Sequence, residues 1–205
     1  MQPAKDLAAI VDDDALLAAF SAGAADAARA LTDRHLGRIY ALALRMLGNQ
    51  AEAEDVAQDT MLRLWKVAPE WQAGRAQLST WLYRVASNLA TDRLRSVQRH
   101  RPADDSALDS LIDPSPGADD VLITAERDTA LHYALNRLPD RQKLAITLRH
   151  FDEMSQPDMA EIMDTTIEAV EGLLGRGRRA LAAMLRPGLT TKNGAAGAAL
   201  KARVK

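Results

Sequence analysis

The sequence predicts an all-α protein made of two small helical domains joined by a flexible acidic linker. Three observations carry this. Apolar residues recur at three- to four-residue spacing along nearly the whole chain, and no stretch alternates as a half-buried strand would. The composition favours helix, with 39 Ala and 20 Arg against 6 Lys, while aromatics make up only 4%. Between residues 102 and 120 the helical pattern stops, and three Pro, Gly117 and six Asp replace it, a composition that packs poorly.

The elements follow in order. Asp12, Asp13 and Asp14 precede Leu16, Leu17 and Phe20, which reads as a short helix with acid at its N-terminus, ended near Gly23. A longer helix spans roughly Asp26 to Leu47, with Gly48-Asn49 as its stop. The next runs from about Ala51 to Lys66, followed by a loop between Pro69 and Gly74. Ser79-Thr80 reads as an N-cap for a helix from Trp81 to about Gln98. After the linker, periodicity resumes from Val121 to about Arg137, and Pro139 opens a helix to about Phe151. Two helices close the pattern, Gln156 to Met163 and Ile167 to about Leu185, separated by Asp164-Thr165-Thr166. Pro157 suits the first turn of the former. The boundaries are therefore a first domain over 10–98, a linker over 99–120, a second domain over 121–186 and a disordered tail over 187–205.

Composition narrows the function classes. A chain of 205 residues, 47% hydrophobic and 26% charged, has enough apolar material for a core. The absence of Cys excludes disulfides, thiolate metal sites and cysteine catalysis, and fits a cytoplasmic location. No apolar run is long enough for a membrane span, and the N-terminus lacks a signal-peptide core. No glycine-rich phosphate loop, HExxH or GxSxG motif is present, and the four His are scattered. Neither an enzyme nor a bound cofactor is expected. The net charge of -2 argues mildly against a free-standing nucleic-acid binder.

Three segments carry candidate chemistry. From Pro157 to Leu185, a short helix, a three-residue turn and a longer Arg-bearing helix form a helix-turn-helix pattern. Thr166 can cap the second helix, and Arg176, Arg178 and Arg179 can reach phosphates or guanine edges. An ordinary helical hairpin with a solvated basic face has the same pattern. From Trp81 to Arg101, five Arg, among them Arg84, Arg93 and Arg95, stand against one acid, Asp92. Trp81, Tyr83 and Asn88 on the same stretch suit stacking on, and bonding to, unpaired bases. Taken alone, Trp81 and Tyr83 read more simply as partly buried core. From Glu52 to Trp65, Asp55 and Asp59 share one helix face, continued by Gln58 and Leu62. Such a face is either solvated or a docking surface for a basic partner.

The order of the pieces is more specific than any one of them. AEAEDVAQDTMLRLWK (Ala51–Lys66), STWLYRVASNLATDRLRS (Ser79–Ser96), LNRLPDRQKLAITLRHFDEMSQPDMAEIM (Leu135–Met163) and RGRRAL (Arg176–Leu181) together resemble a bacterial sigma factor. The resemblance is to the small extracytoplasmic-function (ECF) group of the sigma-70 family, over about residues 12–186. It implies that 10–98 is region 2 and 121–186 is region 4. It implies that Asp55, Gln58, Asp59 and Leu62 dock on core RNA polymerase. It assigns Trp81, Tyr83, Arg84, Asn88, Asp92, Arg93 and Arg95 to the element that opens and reads the −10 promoter segment, with Asn88 beside a flipped base. It places Thr166, Glu168, Glu171, Gly172, Gly175, Arg176, Arg178 and Arg179 in the −35 reader. The chain departs from the family's pattern at Glu171, where a basic residue is usual, and at Gly172 and Gly175. The implied partners are core RNA polymerase, promoter DNA and an anti-sigma factor.

Two other readings compete. A stand-alone helix-turn-helix regulator would bind duplex DNA tightly without polymerase, and the acidic linker and docking face disfavour it. A helical enzyme or sensor would need converging His and carboxylates, which the sequence does not offer. The charge of -2 is a sum of separated patches, with Arg on the two reading helices and acid on the docking helix and linker. Such a chain is expected to bind free duplex poorly and to need polymerase to hold it there.

Overall fold

The computed structural model describes residues 12–100 and 130–185, and all of its regular structure there is helical. The expected tail over 187–205 and most of the expected linker lie outside the described residues. Helix α1 (Asp13–Ser21) is N-capped by Asp12, whose carboxylate accepts from the Asp14 N–H. Helix α2 (Ala25–Leu47) ends at Gly48, whose φ of +70 is the left-handed conformation that suits glycine. The next residue, Asn49, caps α3 (Gln50–Val67) by accepting from the Glu52 N–H at 3.0 Å, so two residues both stop one helix and start the next. A 3-10 turn (Ala68–Glu70) and a loop lead to α4 (Leu78–His100).

Helix α4 differs from the expectation at both ends. It begins three residues before Trp81, so Ser79 and Thr80 lie inside the first turn instead of capping it. Thr80 is buried, and the Trp81 N–H already donates to the Gln77 carbonyl at 3.1 Å. It also continues to His100, two residues into the segment expected to be linker.

Helices α2, α3 and α4 pack together around Leu31, Ile39, Leu42, Met46, Val56, Leu64 and Leu82, all essentially inaccessible. Each helix contributes one apolar stripe, so burying these faces against one another drives the bundle. Helix α1 lies across it. Phe20 rests on the Trp65 ring with centroids 4.7 Å apart. Asp13 ties α1 to α2 by accepting from Arg34 and by its contact with His35 Nε2 at 2.8 Å. Burial raises the Asp13 carboxyl, but the hydrogen bonds from His35 and Arg34 outweigh it, and the group lies below its ordinary value.

In the C-terminal half, residues 130–136 are helical. Helices α5 (Asp140–His150), α6 (Gln156–Ile162) and α7 (Ile167–Met184) follow. Helix α6 starts at Ser155, which accepts from the Asp158 N–H, with Pro157 in the first turn where its missing donor costs nothing. Helix α5 is buried all round from Lys143 to Leu148, because α7 covers one side and α2 and α4 the other. The two halves thus share one continuous core in the described residues. No helix among those residues is long and apolar enough to cross a membrane.

This sandwich buries a lysine. Lys143 Nζ donates to the Met46 carbonyl and to Asn136 Oδ1, both at 2.7 Å. Met46 lies in the last turn of α2, whose carbonyls have no partner within the helix, so the amine caps that C-terminus from the other half of the molecule. Burial pushes Lys143 down to about 8, partly offset by Asp140. The unfolded chain then binds more protons than the folded one between pH 8 and the ordinary lysine value of about 10.4, so stability rises with pH across that window. Urea midpoints at pH 7.5 and 10 should show a gain on the order of 2 kcal/mol, which Lys143→Met removes. An identical pH slope in the variant would rule the lysine out as its source.

Candidate functional site

The acidic face expected on α3 is present and is built around an unexpected residue. Arg93 reaches over from α4. Its Nη1 donates to Glu52 Oε2 at 2.8 Å and Asp55 Oδ2 at 3.2 Å, and its Nη2 donates to Asp59 Oδ2 at 3.2 Å. One guanidinium among three carboxylates leaves two negative charges uncompensated. The Asp55 side chain is 64% exposed and that of Asp59 47%, so the face still presents acid to solvent. Gln58 is exposed beside them, and Leu62 is among the few large apolar residues at the surface, 48% exposed. The surface is an acidic patch with one apolar contact point, fixed in shape by a cation from the neighbouring helix.

Helix α4 divides its residues between two sides. Arg84, Asn88, Asp92 and Arg95 follow one another at spacings of four, four and three, and all are exposed. Arg95 and Asp92 pair across one turn at 4.0 Å. The other side turns Leu82, Tyr83, Ala86 and Ala90 into the core. Of the seven residues proposed for −10 DNA, Arg84, Asn88, Asp92 and Arg95 are therefore on the open face, while Trp81 is half-buried. Arg93 is held by the acidic face of α3. Tyr83 is 2% exposed, and its hydroxyl donates to Asp152 Oδ1 at 3.1 Å. A base has no access to the Tyr83 ring in this arrangement.

Asp152 belongs to the turn after α5 and joins the two halves a second time. Its side chain is only 6% exposed, and Arg45 Nη1 lies 3.8 Å from Oδ1. The Arg45 guanidinium also sits 4.5 Å from the centre of the Phe151 ring. Burial raises the Asp152 carboxyl, opposed by Tyr83 and Arg45. Burial, then the charge of Asp152, raises the Tyr83 phenol.

The helix-turn-helix is formed by α6 and α7. Thr166 Oγ1 accepts from the Ala169 N–H at 3.3 Å, as its position predicts. Hydrogen bonds from its own N–H and from Thr166 hold the Glu168 carboxyl below its ordinary value. Glu168, Glu171, Arg176, Arg178 and Arg179 are exposed. Arg178 Nε donates to His150 Nε2 at 3.4 Å, while burial, then Arg178 and Arg149, push that imidazole down and keep it an acceptor.

The glycines of α7 have two different causes. A Cβ on Gly172 would meet only the Arg176 guanidinium, at 3.3 Å, and one on Gly175 only that of Arg179, at 3.9 Å. Each leaves space under the Arg four residues on. Gly177 is buried, and a Cβ there would stand 2.9 Å from Ile146 Cγ1, because α5 and α7 approach closely at that point. The Gly-x-Gly pair therefore serves helix packing at its second member. Gly177→Val should cost about 1–3 kcal/mol by overpacking, while Gly175→Ala should gain up to about 1 kcal/mol of helix propensity. Thermal melts of the two variants check this, and equal shifts of the same sign would refute it.

Sequence reasoning missed the Arg93 cluster, Lys143 and Asp152. Each is a contact between residues far apart in sequence, and no local spacing signals it.

Comparisons with known proteins bear on the family and the fold. Residues 31–100 match the family described as sigma-70 region 2, and residues 128–181 that described as sigma-70, region 4. The chain is 32% identical over 177 residues to the ECF RNA polymerase sigma factor SigW of Bacillus subtilis, covering 80% of this chain and 91% of that protein. It is 25% identical over 183 residues to the ECF RNA polymerase sigma-E factor of Haemophilus influenzae, covering 85% and 96%. Among solved structures it is similar to CnrH in complex with the cytosolic domain of CnrY. The TM-score there is 0.61 at 28% identity, over 84% of this chain and 96% of that one. The fold is shared with RpoE of Bartonella quintana in complex with the anti-sigma factor NepR. In that case the TM-score is 0.59 at 24% identity, over 75% and 92%.

Proposed function

The chain belongs to the sigma-70 family, in its ECF group, and from that premise we infer that it is a non-enzymatic specificity subunit of RNA polymerase. It binds the core enzyme, directs it to promoters with −10 and −35 elements, and helps melt the start region. The observation that carries the division of labour is the opposition of two neighbouring surfaces on one bundle. Helix α3 shows acid and Leu62 to a basic protein partner, and α4 shows Arg84, Asn88 and Arg95 to DNA. In this reading Asp55, Gln58, Asp59 and Leu62 dock on core polymerase, and the exposed stripe of α4 engages the −10 segment. Thr166, Glu168, Glu171, Gly172, Gly175, Arg176, Arg178 and Arg179 form the −35 reader. Residues 10–98 act as region 2 and 121–186 as region 4, with 99–120 connecting them.

The protein works in the cytoplasm, where polymerase is, and uses no cofactor. The structural relatives bound to CnrY and NepR support control by an anti-sigma factor. The test is reconstitution: purified chain and core polymerase should give promoter-dependent transcripts that core alone does not. Tight, salt-sensitive duplex binding by the free chain, with no change in promoter choice by polymerase, would favour a stand-alone regulator instead.

A further inference from the structure

Asp14 spends its whole carboxylate on one loop. Its Oδ1 accepts from Trp71 Nε1 at 2.8 Å, and its Oδ2 accepts from the Gly74 N–H at 2.9 Å. The loop runs from Trp71 to Gln77 and feeds directly into the first turn of α4. It turns at Gly74, with φ +75, and the Arg75 N–H closes a turn onto the Gln72 carbonyl at 3.3 Å. Gln72, Ala73, Gly74, Arg75 and Gln77 are all exposed, so the loop is anchored mainly through Trp71 and Gly74. Residues 12–14 at the start of α1 and residues 74–79 line one open cleft of about 540 Å³. The bond from Gly74 to Asp14 joins the two sides of that cleft.

The bond to Trp71 has a further consequence. The Trp71 ring meets the Trp81 ring edge-on, with centroids 6.0 Å apart and planes at 82°. Trp81 is half-buried at the start of the face that carries Arg84 and Asn88. Asp14 is itself fixed, because its neighbour Asp13 ties α1 to Arg34 and His35 on α2. A chain of direct contacts therefore runs from the anchored α1 through Asp14 and Trp71 to Trp81.

We infer that Asp14 is a positioning residue for promoter reading: it holds the loop of residues 71–77, and through Trp71 the Trp81 ring, in the arrangement that engages the −10 segment. This rests on the functional reading above. Asp14 touches no DNA in this role. A carboxylate is required because both oxygens must accept, and asparagine replaces one acceptor with an amide NH2 donor that meets an N–H head-on.

The experiment uses full-length chain in holoenzyme with core polymerase. Open-complex formation is followed by a fluorescent base in the −10 segment, core affinity by anisotropy, and loop order by hydrogen exchange at the Gly74 amide of the free chain. Asp14→Asn and Trp71→Phe should each lower open-complex formation about tenfold, as expected for losing a hydrogen bond to a charged group. Core affinity should stay within about twofold, since α3 is untouched. The double variant should fall short of the product of the two single effects, because both weaken the contact between Asp14 and Trp71. The penalty for a mutated −35 element should not change, a selectivity that general loss of stability would not produce. Asp14→Asn that opens promoters like wild type overturns the proposal, as does a fall in core affinity parallel to the fall in open complex. A wild-type holoenzyme that recognises no promoter sinks the functional reading and the proposal together, whereas a competent wild type beside an indifferent Asp14→Asn sinks the proposal alone.

Discussion

Reversing two charges on α3, Asp55→Arg with Asp59→Arg, should weaken binding to core polymerase by at least about a hundredfold while the bundle stays folded. The face holds Glu52, Asp55 and Asp59 around Arg93, a net charge of -2 among those four groups. Two reversals change it by four units, to a face that repels any basic partner. Coupling energies for close charge pairs across interfaces run from about 1.5 to 7 kcal/mol, and a hundredfold needs only about 2.8. The fold loses far less. Both side chains are about half exposed or more, so each lost contact with Arg93 is worth roughly 1 kcal/mol or less, a few degrees in melting temperature. Labelled chain titrated with core polymerase, beside a circular-dichroism melt, measures both quantities. Core affinity within about threefold of wild type would remove this face from the docking surface.

The helices were legible because their signals are local. The Gly48 stop, the Thr166 cap and the turn of Asp164-Thr165-Thr166 depend on residues within one helical turn of one another. The start of α4 was misplaced for the same kind of reason. Ser79 and Thr80 carry cap chemistry, but the burial of Leu78 and Thr80 extends the helix backward past them, and packing overrides a local preference. The site was legible as patches and not as pairs. Acid on α3 and Arg on α4 are visible separately, and the resemblance implies a protein partner for the first and DNA for the second. Arg93 breaks that division, because it sits on α4 yet serves the acidic face of α3, 34 to 41 residues away. The net charge of -2 thus conceals both separated patches and a stitch between them. Tyr83 shows the limit more sharply. The resemblance implies a role at the −10 DNA for it, the residues alone read as partly buried core, and the ring is buried, with its hydroxyl on Asp152, 69 residues away.

That contact predicts the second large effect. Asp152→Lys should separate the α5–α7 half from the bundle. Asp152 is nearly inaccessible, accepts from the Tyr83 hydroxyl and faces Arg45, with the charge of Arg38 also near. A lysine there sets like charge against both guanidiniums in a poorly solvated place and removes the acceptor from Tyr83. Breaking a buried pair in this way costs about 3–5 kcal/mol. Within each half the apolar packing is untouched, so the loss falls on the junction between them. The expected result is an unchanged helical signal in circular dichroism, an increased radius of gyration in solution scattering, and a Tyr83 ring that becomes reactive to nitration. Glu153→Lys is the control, since Glu153 is the exposed neighbour on the same turn and should change none of the three. The separation also bears on the −10 assignment, because Tyr83 can stack on a base only after the C-terminal half has moved off α4. An Asp152→Lys variant as compact as wild type, with Tyr83 still protected, would show that the shared apolar core alone holds the halves together.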